Sequence, residues 1–471
     1  MLADVIFGIN LVMLGYFGFT NGSSFCLLVL SYFTILKYRR QTRHEEWRRL
    51  IQSPLTAGVS VLTPAYNVEA SIEQSVRSLL MLEYPEFEVV VINNGSNDGT
   101  MDTLRQVFQL HPVPIDLEAR VQSKTVQGLY RSVEFPNLVV VDLPPPNGGK
   151  AGALNAGINA SSYPLICSVD ADSIIEGGAL LKVTRPFLEN PELTVAVGGI
   201  VRVANGCDIT SRRITKVGLP SGYLPLIQTV EYLRAFLFGR AGWSALNSLL
   251  IISGAFGVFR KDVVIAAGGY LTGSIGEDME LVVRMHRYLM EAGQEYEMHF
   301  LPDPACWTEV PESFAALGGQ RNRWQRGLIE SLMLNRKMFF NPRYGTIGMI
   351  GLPYFLIFEM FAPDLEFAGI ILVVVSFALG YINLPFFGLF LTVVVLFGSV
   401  LTTSSVLMEA ISFRRYPKAT ELLKMVAAGF MENIEYRQIN LWWRIMGCVD
   451  YVRGKSAWGY MERRGLGKTV E

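Results

Sequence analysis

Asp170-Ala171-Asp172 closes the apolar run LICSV that begins at Leu165. Two carboxylates at i and i+2 beyond a strand end reach one hard cation that also takes phosphate oxygens, so Mg2+ or Mn2+ chelation is the chemistry they offer. Alone, such a tripeptide is more often a polar turn, and its neighbours decide. Gly148-Gly149-Lys150-Ala151-Gly152-Ala153-Leu154-Asn155 lies just upstream, with glycines that let backbone approach a ligand and a lysine to meet a phosphate. A solvated lysine in a loose loop is the plainer alternative. Glu277-Asp278 follows the glycine-rich AAGGYLTGSIG and opens the helical pattern EDMELVVRMHRYLM, so a carboxylate sits at a helix N-terminus. That position is usually a cap, and in a cleft it serves equally as a general base toward a reacting hydroxyl. Gln320-Arg321-Asn322-Arg323-Trp324 heads an amphipathic stretch, where Arg323 suits a diphosphate and Trp324 a sugar ring. The same residues also suit an interfacial helix whose Trp and Arg sit at lipid headgroups.

These groups need a scaffold that aims them at one place. Between Thr56 and Arg343, the β-branched runs VSVLT from Val59, EVVVIN from Glu88, LVVVDL from Leu138, LICSVD from Leu165 and TVAVGG from Thr194 alternate with helical patterns. Continuous apolar strands separated by helices predict a parallel sheet buried on both faces, an α/β fold. Ligands of such sheets bind beyond the carboxyl ends of the strands. That rule selects Thr63–Asn67, Asn93–Asp98 and Asp170–Asp172 independently of any motif.

Residues 5–36 carry no charge, more than the roughly 20 that one membrane span requires. Lys37, Arg39, Arg40 and Arg43 follow, which places the next domain on the cytosolic side. Asn21-Gly22-Ser23-Ser24 has turn chemistry, so two short spans are preferred over one long tilted helix. A second membrane region runs from Tyr344, and Asn383-Leu384-Pro385 divides its longest uncharged run, Phe367–Met408, into two spans. The segment Leu422–Met446 carries Glu432, Glu435 and Arg437, compatible with a hydrated channel or with the bilayer surface. The expected organisation is residues 1–40 as N-terminal transmembrane segment(s), 56–320 as a cytosolic domain, 321–343 as an amphipathic interface helix, 344–412 as transmembrane helices, and 413–471 as a basic, amphipathic segment with room for one further span.

Other chemistries lack their residues. Lys and Arg total 41 against 42 Asp and Glu, which gives no basic surface for nucleic acid. The 5 cysteines have no CxxC spacing. The 4 histidines form no HxxH or HExxH pattern, and GxxxxGK[ST], GxSxG and GxGxxG in a strand-turn-helix setting are missing.

Taken together and in order, from about Val59 to Gly327, these residues resemble the membrane-embedded family 2 glycosyltransferases with a GT-A fold, the poly-N-acetylglucosamine, hyaluronan, chitin and cellulose synthases. The layout is nearest to the poly-N-acetylglucosamine synthases. The resemblance implies that Thr63, Pro64, Tyr66 and Asn67 line the nucleotide pocket with Glu69 as its acidic residue, and that Lys150 and Asn155 belong to the GKxxALN-type loop. Asp170 and Asp172 then become the metal-binding DxD, and Asp278 the catalytic base. Gln320, Arg323 and Trp324 match the QxxRW of processive members, with Gln320 and Arg323 toward the donor and Trp324 toward the acceptor. Ser253, Gly254, Ala255, Phe256 and Glu277 become the acceptor site. Two departures stand out: Asn94 replaces the Asp that usually reads uracil, and Gly276 replaces the usual Thr. No appended cyclic-di-GMP-type domain is expected after the membrane part.

The implied activity is inverting, metal-dependent transfer from a nucleotide-sugar, UDP-GlcNAc or another UDP-hexose, to a growing β-linked exopolysaccharide at the inner membrane, with translocation through the chain's own helices. The partners are donor, polysaccharide and lipid bilayer, with an export partner unassigned. Rival readings are a non-processive transferase adding one sugar to a lipid carrier, and a catalytically silent nucleotide-sugar-binding scaffold.

Overall fold

The structure, a computed structural model, describes residues 2–42, 56–210, 212–381 and 384–455. Arg43, His44, Asn383 and residues 456–471 lie outside the described residues.

The first element is a single helix, α1 (Leu2–Thr42), and not two short spans. The turn expected at Asn21–Ser24 does not form. Hydroxyls that favour turns in water here bond back along the helix, Thr20 Oγ1 to Tyr16 O at 2.8 Å and Ser23 Oγ to Thr20 O at 2.9 Å. At 1.5 Å per residue α1 extends about 60 Å, twice a bilayer's hydrocarbon thickness. Its distal half therefore reaches the globular domain, and Leu27, Leu28 and Ile35 join that domain's core.

The five expected strands are present as β1 (Val59–Ala65), β2 (Phe87–Asn94), β5 (Leu138–Leu143), β6 (Leu165–Val169) and β8 (Thr194–Val203). Strands β3 (Leu110–Val113), β4 (Gly128–Ser132), β7 (Ile174–Ile175), β11 (Phe256–Arg260) and β12 (Glu297–Thr308) complete a ten-stranded sheet ordered β3-β4-β5-β2-β1-β6-β11-β8-β12-β7. The centre is parallel, with Val59 opposite both Phe87 and Leu165. β11 enters antiparallel between β6 and β8, so the sheet is mixed and not wholly parallel. A separate hairpin, β9 (Asp208–Thr210) and β10 (Arg213–Lys216), stands off the sheet.

Helices α2 (Glu69–Leu80), α3 (Thr100–Val107), α4 (Gly149–Ala160) and α5 (Ala179–Glu189) follow strands, and α6 (Tyr223–Leu233), the π-helical turns Arg234–Arg240 and α7 (Ala241–Ala245) lead toward β11. Next come α8 (Lys261–Ala266), α9 (Glu277–Glu291) and α10 (Phe314–Leu334). The central strands are buried from end to end, which at about 1.5–3 kcal/mol per large apolar side chain makes this the core of the molecule.

The amphipathic interface helix expected at 321–343 is α10, which begins earlier and is buried on most of its circumference. Helix α11 (Ile347–Met360) meets α12 (Ala362–Ala378) at 42°. Among the described residues, Ile6–Thr42 is long and apolar enough to cross a membrane, and α11 with α12 passes the same test as a bent pair. Gly380, at φ +71°, closes α12, and α13 (Leu384–Leu391) starts at the expected break. The chain then runs through α14 (Phe397–Ser412), α15 (Ala419–Met431) and α16 (Arg437–Val452). The charges between α15 and α16 turn into the protein: Glu432 pairs with Arg234 at 2.6 Å, Arg437 pairs with Glu366 at 2.5 Å, and Glu435 accepts from the Tyr223 hydroxyl at 3.2 Å.

Candidate active site

Parallel pairing puts the carboxyl ends of β5, β2, β1 and β6 on one edge. Two polar turns knit the β1 and β2 ends together. Asn67 Oδ1 accepts from Asn97 N at 3.0 Å, and Glu69 Oε2 accepts from Gly99 N at 2.9 Å. Asp98 Oδ2 returns the contact by accepting from Glu69 N at 3.2 Å. Tyr66 is exposed there, whereas Thr63 is buried within β1.

Beyond β6 the chain emerges at Asp170, and the antiparallel pairing of Phe256 with Val169 brings the residues before β11 alongside. Lys150 Nζ donates to Asp170 Oδ1 at 2.5 Å and to Gly254 O at 3.2 Å. Gly254 N donates to Asp278 Oδ2 at 3.2 Å, and Met279 N donates to Asp278 Oδ1 at 2.9 Å. Four segments remote in sequence thus meet at Gly254. A Cβ there would stand 2.7 Å from Lys150 Nζ, so any larger residue would push the lysine tip aside.

The electrostatics follow from this crowding. Burial works against the Lys150 ammonium, yet Asp170, Glu277 and Asp278 hold it above its ordinary value. Burial raises the Glu277 carboxyl to about 7, with Asp278 and Asp170 adding to the rise and Lys150 opposing it. Three acidic side chains, Asp170, Glu277 and Asp278, therefore bear on one ammonium. Two residues the motifs did not point to stand behind them. Arg240 lies 3.8 Å from the Phe236 ring centre; burial lowers its guanidinium to about 10, and Asp278 counteracts. Arg212 reaches the Asp170–Asp172 turn from the β9–β10 hairpin, donating to Ala171 O at 3.3 Å. Neither arginine has a local sequence signal, because each arrives from another element.

The donor set fits a hard divalent cation: Asp170 and Asp172, adjacent on the sheet edge, offer carboxylate oxygens. Among the described residues no three metal-ligating side chains form a finished cage. Water and phosphate oxygens would complete the coordination, as is usual for Mg2+.

The remaining candidates play supporting parts. Asn155 is wholly buried: Nδ2 donates to Gln122 O at 2.8 Å and Tyr270 O at 2.9 Å, while Oδ1 accepts from Tyr270 N at 2.8 Å. It ties the start of α4 to the loop before α9. Asn94 clamps the lysine loop, donating to Asn147 Oδ1 at 2.7 Å and Gly149 O at 3.0 Å and accepting from Gly148 N at 3.1 Å. A carboxylate at 94 would face two oxygens, which explains the amide. Gly276 is explained similarly, since a Cβ would stand 2.9 Å from Gly327 Cα on α10. Glu330 of α10 also accepts from Ile275 N at 2.8 Å, so α10 seats the start of α9. Gln320 and Arg323 are buried on α10, and Trp324 is 45% exposed with Arg321 4.3 Å from its ring centre. Ser253, Ala255 and Phe256 form the turn into β11, where Phe256 N donates to Ser253 O at 3.1 Å.

The family described as glycosyl transferase family 2 matches residues 60–265, and that described as glycosyl transferase family group 2 matches residues 165–429. A poly-beta-1,6-N-acetyl-D-glucosamine synthase of Staphylococcus epidermidis is 30% identical over 321 residues, covering 68% of this chain and 65% of that protein. Its namesake from Staphylococcus aureus (strain COL) is 30% identical over 278 residues, covering 59% and 56%. The chain thus spans less than two thirds of the length of these relatives. A solved mannosyltransferase from Pyrobaculum calidifontis, in complex with GDP-Man and Mn2+, is 18% identical with a TM-score of 0.48, covering 88% of this chain and 99% of that one.

Proposed function

This chain belongs to the family 2 glycosyltransferases, and from that membership we propose that it is an inverting, metal-dependent transferase building a β-linked polysaccharide at a membrane. The observation that carries the reading is the meeting of Lys150, Asp170 and Asp278 at Gly254. The two synthase relatives favour UDP-GlcNAc as donor.

Asp170 and Asp172 would hold Mg2+ or Mn2+, which would neutralise the departing diphosphate. Lys150, kept cationic by its carboxylate neighbours, offers a second positive charge to the donor phosphates. Asp278 takes the proton of the acceptor hydroxyl as that oxygen attacks the anomeric carbon, and the N–H groups of Gly254 and Met279 hold the carboxylate in place. A single displacement on an α-linked donor gives a β-linkage. Trp324 offers the acceptor a flat apolar surface. Helix α1 and the bent α11–α12 pair anchor the domain in the bilayer, with Lys37, Arg39 and Arg40 on the cytosolic side. Passage of the product through the membrane helices belongs to the same proposal.

Full-length protein in nanodiscs, given radiolabelled UDP-GlcNAc, UDP-glucose or GDP-mannose with Mn2+ or EDTA, tests this. Polymer from UDP-GlcNAc, abolished by EDTA, is expected. A product carrying one sugar on lipid would end the polymerase reading, and metal-independent transfer would end the cation's role.

A further inference from the structure

The hairpin β9–β10 is mostly exposed, yet its tip sends one side chain inward. Arg212, in the left-handed backbone region at φ +57°, is 4% exposed. Its Nη1 donates to Asp172 O at 3.5 Å, and its Nη2 to Ala171 O at 3.3 Å and to the Ser75 hydroxyl on α2. Ser75 Oγ itself lies 2.7 Å from Ala171 O. One planar guanidinium thus ties the hairpin, α2 and the main chain of the Asp170–Asp172 turn together. Burial works against its charge, and the Asp172 carboxylate offsets that penalty.

We infer that Arg212 is a positioning residue for cation binding: it fixes the path of the Asp170–Asp172 turn so that both carboxylates face the cleft. The inference rests on the proposed reading that these aspartates hold a divalent cation. A left-handed, non-glycine residue costs conformational energy, which persists only where surrounding contacts over-determine it. Here those contacts are the carbonyls of the turn. Arginine reaches these three acceptors from two separate nitrogens of a planar fork, whereas lysine presents its three donors from one nitrogen.

Charge and geometry make opposite predictions, so the experiment is decided by sign. Removing a cation beside two aspartates tightens divalent binding if charge alone matters, and loosens it if the turn loses its shape. Mn2+ binding to the full chain in nanodiscs, followed by loss of the free-ion EPR signal, reads this without turnover. Arg212→Gln is expected to raise the Mn2+ dissociation constant about tenfold or more, the scale for residues that orient metal ligands. Arg212→Lys, which retains the buried charge and carries the test should the Gln variant not fold, is expected to lose affinity similarly, and Ser75→Ala to lose less in the same direction. Unchanged or tighter binding in Arg212→Gln or Arg212→Lys overturns the inference, provided Asp172→Asn has lost Mn2+ binding. Native affinity in Asp172→Asn overturns the metal reading itself, and this inference with it.

Discussion

Ionic groups are used in opposite ways at the sheet edge and at the junction with the C-terminal helices. At the junction several carboxylates have a guanidinium of their own: Arg202 with Glu409 at 2.8 Å, Arg234 with Glu432 at 2.6 Å and Arg437 with Glu366 at 2.5 Å. In the cleft one ammonium is shared: Lys150 pairs closely with Asp170 and is also held by the charges of Glu277 and Asp278. Paired charges satisfy each other and specify how two surfaces meet. Crowded like charges are unstable alone and are relieved by something that binds. One-to-one pairing marks the architecture, and the sharing of one cation marks the site.

The comparison breaks most sharply at Asp278. Asp278→Asn is expected to lower transfer about 10²–10⁴-fold with a smaller change in the melting midpoint, because the amide oxygen can still accept the Met279 N–H. Sugar transfer and thermal unfolding on one preparation check both halves, and native turnover would remove Asp278 from the chemistry. Glu409→Gln should do the reverse. It strands the buried Arg202 and should cost about 3–5 kcal/mol of stability, with turnover per folded molecule intact. Arg202→Met with Glu409→Leu should recover most of that loss in the same melt.

Three smaller effects sharpen the contrast. Gly276→Thr pushes a side chain into Gly327 and should cost about 1–3 kcal/mol together with part of the turnover, since α10 seats the helix bearing Asp278. Asn94→Asp opposes a carboxylate to Asn147 Oδ1 and Gly149 O, and should raise the donor KM about tenfold, the equivalent of one lost hydrogen bond, with little change in kcat. The last effect concerns pH. Glu277 ionises near 4.5 when unfolded but near 7 when folded, so between those values the native protein holds the extra proton and stability falls as pH rises. In metal-free protein the melting midpoint should decline across that window, and Glu277→Gln should flatten the decline.

The sequence reading succeeded where one element carried its own signal. Continuous apolar runs identified β1, β2, β5, β6 and β8, because strands covered on both faces cannot alternate with polar residues. It failed where local chemistry was overruled. Asn21–Ser24 would turn in water, but their helical neighbourhood lets hydroxyls bond back to carbonyls and α1 continues. β11 was overlooked because Phe256–Arg260 is short and lies among glycines. Asn155 also braces the loop before α9, a bond its own motif could not announce.

By itself the sequence determined which atoms are available: two aspartates beyond a buried strand, a lysine after glycines, a carboxylate opening a helix, and a tryptophan ahead of the apolar C-terminal segments. Tertiary structure alone decided that Lys150 threads past Gly254 to Asp170, that Asp278 takes the Gly254 N–H, and that Arg212 braces the turn from a distant hairpin. The reason is physical: helical and strand periodicity are local properties of a chain, whereas a cation shared among carboxylates exists only after folding has brought remote segments together.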